Sequence, residues 1–513
     1  MRILRVVSIG AGVIALGMAG CSRRVAEPPR ITLDLWAGQS TSVKLKNGAV
    51  ANVELLGVST VKDSVRNAVR ETSATVKVNG KVLRLVCGNY HVPADAPGVR
   101  IDCTVTRAYR TNASDDEWAL EKDARLRVWP SGNPLLDPNK FAYPVRQIWF
   151  ANDTQMGNEP VFVDGGEEPG NGKVYYHAGL DIGGCEGMTE VVSATAGTVI
   201  QLGEKVLKGY EEYPLEPRYE SIYVLGEYGW VYRYSHLTKI SPSLQLGGEV
   251  KKGQHLGYVG KEGDSGGWAH LHFQIFAKQP SGRWGTEDGY AYLVESYLEE
   301  YEPPLLAVVR PHKLAAVGET VSLDARQSLA PGGGIGRVRW TFHDGSLAEG
   351  PTQQVIYDAP GTYSEVIRVE DANWNVDYDF AVVQVLDPKK PELRPPSIHA
   401  AYHPTFGIEV GTPVTFKVRS FNTAVGGEVW DFGDGTPKVT TNSKPAFARS
   451  NAYFAKLGLT SPELLLAPDA YAQIVHVFPR YGRYIVKVER TDENGFPAIA
   501  HLDVDVGRSD GSK

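Results

Sequence analysis

Short runs in which apolar and polar residues alternate recur along most of the chain, and this period of two is the pattern of half-buried β-strands. In the first part of the chain the alternation is clearest in residues 51–56 and 74–86. Asn79-Gly80 divides the second of these runs and is a strong signal for a tight hairpin. We therefore predict a β-rich N-terminal domain over residues 31–145, with a sandwich or barrel-like fold.

A helical period occurs near the middle of the chain. Residues 288–301 carry apolar side chains at helical spacing, and Pro303-Pro304 follows them and marks a linker. We place a second domain at 146–300, and its strands are expected to make a small antiparallel sheet. Residues 203–221, rich in Glu, Tyr and Pro, are predicted to be an insertion between two of its strands. The insertion either forms a wall of a groove or is a solvated loop.

A repeated motif organises the last third of the chain. The two copies are Trp340-Thr-Phe-His-Asp344-Gly345 with Gly361-Thr-Tyr363, and Trp430-Asp-Phe-Gly-Asp434-Gly435 with Gly482-Arg-Tyr484. In immunoglobulin-like sandwiches a tryptophan packs in the core, and an Asp-Gly pair suits a hairpin turn. We predict two such β-sandwich domains, at 303–388 and 395–508, and a mostly β fold class for the whole chain.

The first residues predict export. Two arginines precede an uncharged apolar run at 6–19, which has the form of a secretory signal and is too short for a typical membrane-spanning helix. Met18-Ala-Gly-Cys21 resembles a bacterial lipobox, in which Cys21 is lipidated and becomes the mature N-terminus. We predict a lipoprotein signal at 1–21 and a linker at 22–30.

This signal predicts a location in the cell envelope. The protein is expected to be lipid-anchored at the outer membrane or at the periplasmic face, or secreted if Cys21 is not lipidated. The formal net charge is −7, and removal of the arginine-containing signal makes the chain more acidic. This charge argues against a nucleic-acid partner.

Cysteine is sparse. When Cys21 is assigned to lipid, Cys87 and Cys103 remain as a candidate disulfide pair within one β-rich segment. The alternative is two buried, reduced cysteines, because sequence does not fix the distance between them. Cys185 is predicted to be structural or free.

The sharpest chemical pattern lies in the predicted second domain. In an extended chain the side chains alternate between faces, so His270, His272 and Gln274 point to one side. His177 and Asp181 also share a face if their segment is extended. Two imidazoles from one strand and a His-Asp pair from another segment therefore become available to one site.

These groups suit a hydrolytic zinc site. Zinc in catalytic sites takes three protein ligands from imidazole, carboxylate or thiolate and leaves a fourth position for water. With His236 from Tyr234-Ser-His236-Leu, the candidates number four histidines and one aspartate. Two groups therefore exceed the ligand requirement, and they are available as a general base and as a stabiliser of a charged intermediate.

The order of the motifs resembles that of the lysostaphin/LytM-type zinc endopeptidases, which cut peptidoglycan cross-bridges. The matching segments are His177-Ala-Gly-Leu-Asp181-Ile, Val192-Ser-Ala-Thr-Ala-Gly197-Thr-Val, Tyr234-Ser-His236-Leu, Gly253-Gln-His-Leu-Gly257-Tyr-Val-Gly260 and His270-Leu-His272-Phe. The resemblance implies one Zn²⁺ ion held by His177, Asp181 and His272. It also implies that His236 and His270 are catalytic and flank the zinc-bound water. Which of the two takes the water proton is left open.

The resemblance implies a cell-envelope zinc metalloendopeptidase that hydrolyses peptide cross-links of peptidoglycan through this water. The alternative is a non-catalytic envelope adaptor or activator that uses the same fold to bind a wall hydrolase or wall peptide. The expected partners are peptidoglycan stem or cross-bridge peptides and a membrane reached through the lipid anchor. The C-terminal repeats look like PKD domains, which implies spacers or modules that contact wall glycan or protein.

Overall fold

The computed structural model describes residues 26–65, 67–88, 90–110, 116–154, 176–390, 393–447 and 461–507. Within these ranges the chain is almost entirely β-structure, which confirms the predicted fold class. The predicted lipid site Cys21 and the rest of the signal at 1–21 lie outside the described residues. Where the chain is described, none of its helices combines the length and apolarity needed to cross a membrane.

The N-terminal domain consists of two four-stranded antiparallel sheets. Its strands are β1 Ile31–Leu35, β2 Ser40–Lys44, β3 Val50–Lys62, β4 Val69–Val78, β5 Lys81–Val86, β6 Ala94–Ala96, β7 Val99–Thr106 and β8 Ala124–Pro130, and a 3-10 turn covers Arg107–Arg110. The sheet orders are β1-β8-β7-β6 and β2-β3-β4-β5. Asn79 and Gly80 join β4 to β5 with φ values of 47° and 89°, which confirms the predicted hairpin turn.

The central domain contains the histidine motifs. Its elements are β9 Leu180–Gly183, β10 Glu190–Val192, β11 Gly197–Leu202, β12 Lys205–Val206, β13 Ile222–Gly226, β14 Val231–Ser235, β15 Leu237–Thr238, β16 Glu249–Val250, β17 His255–Val259, β18 His270–Lys278, β19 Trp284–Glu287 and α1 Tyr290–Tyr301. The main sheet has the order β12-β11-β13-β14-β18-β19, and β9 also pairs with β18. Strand β18 therefore lies inside the sheet.

Helix α1 confirms the helical period of the sequence. It begins two residues after the predicted start, and Glu302 ends it in the left-handed conformation with φ 45°. Its tyrosines belong to the core of the central domain, where Tyr292 packs against Trp230 and Phe141. The helix thus covers the side of the sheet that the apolar residues of β18 face.

Two sandwich modules follow. The elements of the first module are β20 Lys313–Ala316, β21 Thr320–Asp324, β22 Ile335–Thr341, β23 Leu347–Glu349, β24 Thr352–Ile356, β25 Gly361–Asp371 and β26 Val376–Leu386. Those of the second are β27 Ser397–His403, β28 Pro413–Phe421, β29 Glu428–Asp431, β30 Val439–Thr441, α2 Pro462–Leu465, β31 Ala472–Val477, β32 Gly482–Thr491 and β33 Pro497–Val506. Trp340 and Trp430 are fully buried, one in each module core, as the repeat predicts.

Buried charge joins the N-terminal domain to the central domain. Arg127 on β8 pairs with Asp102 on β7 and, across the domain boundary, with Glu287 on β19 at 2.9 Å. Arg30 reaches the same carboxylate at 2.6 Å. Since removing one member of such a network leaves an uncompensated buried charge, these contacts fix the orientation of the two domains.

Candidate metal centre

Three side chains converge on one point at the surface of the central sheet. His177 Nε2 lies 3.0 Å from His272 Nδ1 and 3.3 Å from Asp181 Oδ1, and His272 Nδ1 lies 3.1 Å from the same carboxylate oxygen. The three residues form the group of candidate metal ligands among the described residues. The structure thus brings together the three side chains that the sequence assigns as zinc ligands.

Strand pairing explains two of the three positions. Strands β9 and β18 are antiparallel, and Asp181 is directly opposite His272 in their register. Residues that face each other across a strand pair have neighbouring side chains on the same face. The predicted alternation of side chains between the two faces of β18 is also present, since His270 and His272 both lie on the face opposite the apolar core.

His177 reaches the site in a different way from the one expected. The extended segment from His177 to Asp181 that would place both on one face is not present, because β9 begins only at Leu180. Gly179 has φ +102°, a conformation that favours glycine, and it turns the chain. A Cβ on Gly179 would lie 2.9 Å from Cε1 of His272, so this glycine also makes room for the ligand ring.

A contact behind His272 was missed by the sequence analysis. Nε2 of His272 lies 3.3 Å from Oε1 of Gln274, and the amide of Gln274 donates to Thr286 Oγ1 at 2.7 Å. Gln274 therefore accepts the Nε2 proton and leaves Nδ1 free toward the metal point, as partners of metal-binding histidines do. The sequence contained a signal for this contact, because the alternation along the strand places Gln274 on the same face as His270 and His272.

The two remaining histidines stand beside this cluster. His270 Nδ1 donates to the Trp268 carbonyl at 3.1 Å, and its Nε2 lies 3.5 Å from Asp181 Oδ1. His236 Nδ1 donates to the Glu262 carbonyl at 2.8 Å, and its ring centroid lies 4.7 Å from that of His270. Both backbone bonds leave Nε2 as the nitrogen without the proton.

Burial sets the protonation of these groups. It lowers the pKa of His272 to about 4 and the pKa values of His236 and His270 below their usual value. Burial alone would raise the pKa of Asp181, but the neighbouring His177 and His270 outweigh it and hold that pKa well below its usual range. At neutral pH, His236, His270 and His272 are therefore neutral and Asp181 is ionised, and a neutral imidazole and a carboxylate are the forms that bind a metal ion.

The N-terminal domain holds His177 from both sides. Tyr176 and Ala178 are buried in the core of that domain, with 4% and 8% of their surfaces exposed. The Tyr176 ring packs edge-on against Tyr109, and its hydroxyl accepts the Val69 N–H at 3.3 Å. One candidate ligand is thus positioned by a domain that contributes no ligand itself.

The second sandwich module holds the start of β18. Trp268 stacks on Phe421 with ring centroids 4.2 Å apart, and the Tyr471 hydroxyl accepts the Ala269 N–H at 2.8 Å. Arg419 donates to the Gly267 carbonyl at 2.9 Å. The backbone immediately before His270 is therefore fixed by contacts from a module more than a hundred residues further along the chain.

The donor set fits a zinc ion. Bonds of about 2.0–2.1 Å in a tetrahedral site place ligand atoms about 3.3 Å apart, and the three donor atoms lie 3.0–3.3 Å apart. Two imidazole nitrogens and one carboxylate oxygen are also the ligand types that zinc takes in catalytic sites.

The predicted insertion at 203–221 packs against the central domain. Tyr213 lies on Trp284 with ring centroids 5.3 Å apart, and Arg218 pairs with Asp264 at 2.7 Å. At its end the insertion reaches the site, because Oε1 of Glu220 lies 3.9 Å from Nδ1 of His236. The sequence analysis did not identify Glu220, and no motif in the sequence marks it.

The cysteines lie away from the metal point. Cys185 is a buried free thiol, in agreement with the prediction for it, and burial raises its pKa to about 12. Cys87 and Cys103 are also buried as thiols, with their sulfurs 3.0 Å apart. The disulfide between them stays a prediction.

Comparison with known proteins agrees with the geometry. The model of peptidase family M23 matches residues 175–282, and the model of the PKD domain matches residues 301–385. No curated protein matches the chain. The boundaries of the predicted domains and the assignment of the second module as PKD-like stay predictions.

Three of the similar solved structures are compared with the chain by identity, coverage and TM-score. A Ruminococcus gnavus protein, described as a candidate glycyl-glycine endopeptidase LytM, is 24% identical over 31% of this chain and 61% of its own, with a TM-score of 0.22. A zinc-containing peptidase of Vibrio cholerae is 18% identical over 47% of this chain and 56% of its own, with a TM-score of 0.20. The PKD1 domain of Vibrio anguillarum Epp is 20% identical over 16% of this chain and 95% of its own, with a TM-score of 0.15.

The chain spans about three fifths of the length of the first of these structures. The family matches cover the segment with the three converging side chains and the first of the two sandwich modules. The chain therefore contains a domain of peptidase family M23, followed by a PKD domain.

Proposed function

We propose that the protein is a zinc metalloendopeptidase of the cell envelope that hydrolyses peptide cross-links of peptidoglycan. The observation that carries the proposal is the convergence of His177 Nε2, Asp181 Oδ1 and His272 Nδ1 within 3.3 Å of one another. Two further imidazoles with deprotonated Nε2 atoms lie beside these donors. The match to peptidase family M23 supports the same class of reaction.

A bound zinc ion would polarise the scissile carbonyl and lower the pKa of water toward neutrality. The chain's own residues then move protons and hold charge. One of His236 and His270 accepts a proton from water at Nε2, and the water oxygen bonds to the carbonyl carbon. The other imidazole stabilises the oxyanion that forms. The accepted proton passes to the amine nitrogen as the carbon–nitrogen bond breaks.

We further propose that Cys21 anchors the protein to a membrane by lipid and that the enzyme acts in the envelope. The support is the signal and lipobox pattern at 1–21. The two sandwich modules are proposed to act as spacers or to contact wall glycan or protein. The second module has an added structural role in this proposal, because it holds the backbone before His270.

Metal analysis combined with digestion of isolated sacculi tests the proposed reaction. The wild-type protein should contain about one zinc per chain and release new amino termini from the sacculi. His272→Ala should lose both zinc and activity, whereas His270→Ala should keep zinc and lose activity. Mass spectrometry of the released fragments identifies the bond that is cut.

A second outcome would favour the adaptor alternative. If the wild-type protein binds zinc and releases no amino termini from sacculi or from a panel of wall peptides and glycine-rich proteins, it is not a peptidase. Retention of the protein on sacculi in the same assay would then indicate binding without cleavage.

A further inference from the structure

Glu220 is a buried carboxylate beside the candidate site. Only 1% of the surface of Glu220 is exposed, and neither carboxylate oxygen accepts a hydrogen bond from another described residue. Burying such a group without partners costs free energy. A functional role for Glu220 would explain why the folded protein keeps this unfavourable burial.

Its position relates it to His236. Glu220 Oε1 lies 3.9 Å from Nδ1 of His236, and the backbone carbonyl of Glu220 accepts the N–H of Leu237 at 3.2 Å. Glu220 therefore contacts the chain on one side of His236 with its backbone and faces the ring with its side chain. His236 itself has φ 66°, an uncommon conformation for a residue with a side chain.

The neighbouring loop leaves space for the carboxylate. Gly263 has φ +63°, and a Cβ built on it would collide with Oε1 of Glu220. The preceding residue supplies the carbonyl that accepts the Nδ1 proton of His236 at 2.8 Å. The same loop thus fixes the tautomer of His236 and makes room for Glu220 beside the protonated nitrogen.

Charged side chains near Glu220 influence its ionisation. Burial raises the pKa of Glu220, and the guanidinium groups of Arg218 and Arg233 oppose that increase. The aspartate at 264 raises the pKa further. Arg218 belongs to the insertion and Arg233 to strand β14, so two separate elements contribute positive charge near the carboxylate.

His270 has no comparable group among the contacts of its Nδ1. That nitrogen donates to the Trp268 carbonyl, which is neutral. Among the described residues, His236 has a carboxylate near its Nδ1, whereas the carboxylate beside His270 is Asp181, which lies 3.5 Å from Nε2 and is itself a candidate metal ligand. A ring that gains a proton, and with it a positive charge, is stabilised by an anion at this distance.

We propose that Glu220 is a positioning residue that makes His236 the proton acceptor of the reaction and leaves His270 to stabilise the oxyanion. The inference rests on the proposed function and deepens it. In the step, an O–H bond of water breaks, the proton bonds to His236 Nε2, and the oxygen bonds to the carbonyl carbon. His236 gains one positive charge, which Glu220 faces, and later gives the proton to the leaving amine. Glu220 neither gains nor loses a proton.

The test uses the full-length zinc-loaded protein and the variant Glu220→Gln, which keeps the size and the backbone contact and removes the charge. We expect kcat to fall on the order of 10- to 100-fold, which is part of the roughly 10²- to 10⁴-fold that a general base typically contributes. KM should stay within about twofold and zinc content should be unchanged. Glu204→Gln is the matched control, since it makes the same chemical change at an exposed carboxylate of the same insertion and should leave kcat unchanged.

A second measurement does not depend on catalysis. In metal-free protein, ¹⁵N chemical shifts of the His236 ring report its tautomer. The wild-type ring should be protonated at Nδ1, and Glu220→Gln should raise the fraction protonated at Nε2. Glu220→Asp, which restores the charge at a shorter reach, should recover part of the kcat and of the Nδ1–H tautomer.

Several outcomes would overturn the inference. A Glu220→Gln variant with kcat within twofold of wild type and an unchanged tautomer excludes the positioning role. Loss of zinc together with kcat would show that Glu220 supports the fold of the site. If the wild-type protein does not hydrolyse peptides at all, the proposed function fails, and the tautomer measurement alone decides the role of Glu220.

Discussion

At the residue scale, Gln274 supports the candidate metal centre from behind His272. Its Oε1 accepts the Nε2 proton of His272 at 3.3 Å, and its amide is fixed in turn by Thr286. Gln274→Leu should lower zinc affinity by about 10- to 100-fold, because outer-shell partners orient metal-binding imidazoles. Competition with a chelator of known affinity measures the change.

Gln279→Leu is the matched control for that prediction. Gln279 is buried next to the end of β18, and its amide donates to the carbonyls of Gly285 and Thr286, away from the metal point. The substitution removes a buried amide of the same kind. Equal losses of zinc affinity in the two variants would contradict a specific role for Gln274.

Gly179 combines an unusual backbone conformation with a close approach to His272. Gly179→Ala should lower zinc affinity by about 10- to 100-fold, because the new Cβ would displace the ring of His272. Gly209→Ala separates the two effects. Gly209 has φ +92° and open space around it, so its variant carries the backbone cost of about 1–2 kcal/mol without the clash. Isothermal titration with zinc should show wild-type affinity for Gly209→Ala.

At the element scale, strand β18 shows how one strand serves the core and the site. It pairs with β14 on one side and with β9 and β19 on the other. Its apolar residues face helix α1 and the core, and His270 and His272 face the metal point. Because the strand is held on both edges, a one-residue shift that would exchange these faces is prevented.

Another element-scale feature is the pair of thiols in the N-terminal domain. Cys87 follows β5, Cys103 lies on β7, and the N–H of Gly88 donates to the Cys103 carbonyl at 3.1 Å. Burial raises the pKa of Cys103 well above its usual range, so its thiol reacts slowly at neutral pH.

Oxidative refolding in a thiol–disulfide buffer should join Cys87 to Cys103 and stabilise the domain by about 3 kcal/mol in the chain-entropy estimate. Intact-mass measurement after alkylation should find the pair protected and Cys185 modified after unfolding. The Cys103→Ala variant is the control and should gain no stability from oxidation. Three alkylated thiols in the oxidised protein, without its signal, would show that the pair stays reduced.

At the scale of the whole molecule, the candidate metal site depends on domains that supply none of its three candidate ligands. Tyr176 and Ala178 tie His177 to the N-terminal core, and Tyr471 of the second sandwich module binds the N–H of Ala269. Tyr471→Phe leaves that buried N–H without its acceptor, at a cost of about 1–3 kcal/mol. It should also lower kcat, since Ala269 precedes His270.

Tyr402→Phe is the control for the effect on kcat. Its hydroxyl is buried in the second module and donates to the Asp503 carbonyl. Both residues are more than a hundred positions along the chain from His270 and His272. Chemical unfolding and sacculus digestion should show that both variants lose stability, whereas only Tyr471→Phe loses activity. A parallel fall in kcat for both would mean that the module affects the proposed activity only through global stability.

Two buried histidines at the domain boundaries make stability depend on pH. His399 lies between the second module and Trp268, and His501 lies between the two modules, against Phe380 and Ser364. Burial lowers the pKa of each to about 3. The unfolded value is about 6.5, so the unfolded chain binds more protons between about pH 3 and 6.5.

The free energy of unfolding should therefore fall as the pH decreases through this window. Each histidine should contribute roughly 2 kcal/mol of loss between pH 7 and pH 5. Urea unfolding of wild type and His501→Gln, monitored by tryptophan fluorescence at pH 7 and pH 5, measures how the free energy of unfolding changes with pH. The variant should lose less stability than wild type on acidification, and equal losses would exclude His501 as a source of the dependence.

The sequence by itself determined much of the local structure. Alternation and turn residues predicted the mostly β class, the Asn79-Gly80 hairpin and the two buried tryptophans, because strand period and turn geometry are properties of a few adjacent residues. The placement of His270 and His272 on one face of a strand followed from the same period. The motif order also selected the three side chains that converge, although their role as zinc ligands stays a prediction.

Only the tertiary structure decided how the site is held. Gly179 bends the chain so that His177 meets Asp181 from outside the strand, and Glu220 reaches His236 from an insertion that no motif marks. The anchoring of His177 and His270 by separate domains is equally absent from any local pattern. These contacts join residues far apart in sequence through side-chain packing and buried hydrogen bonds, and such contacts exist only once the complete chain has folded.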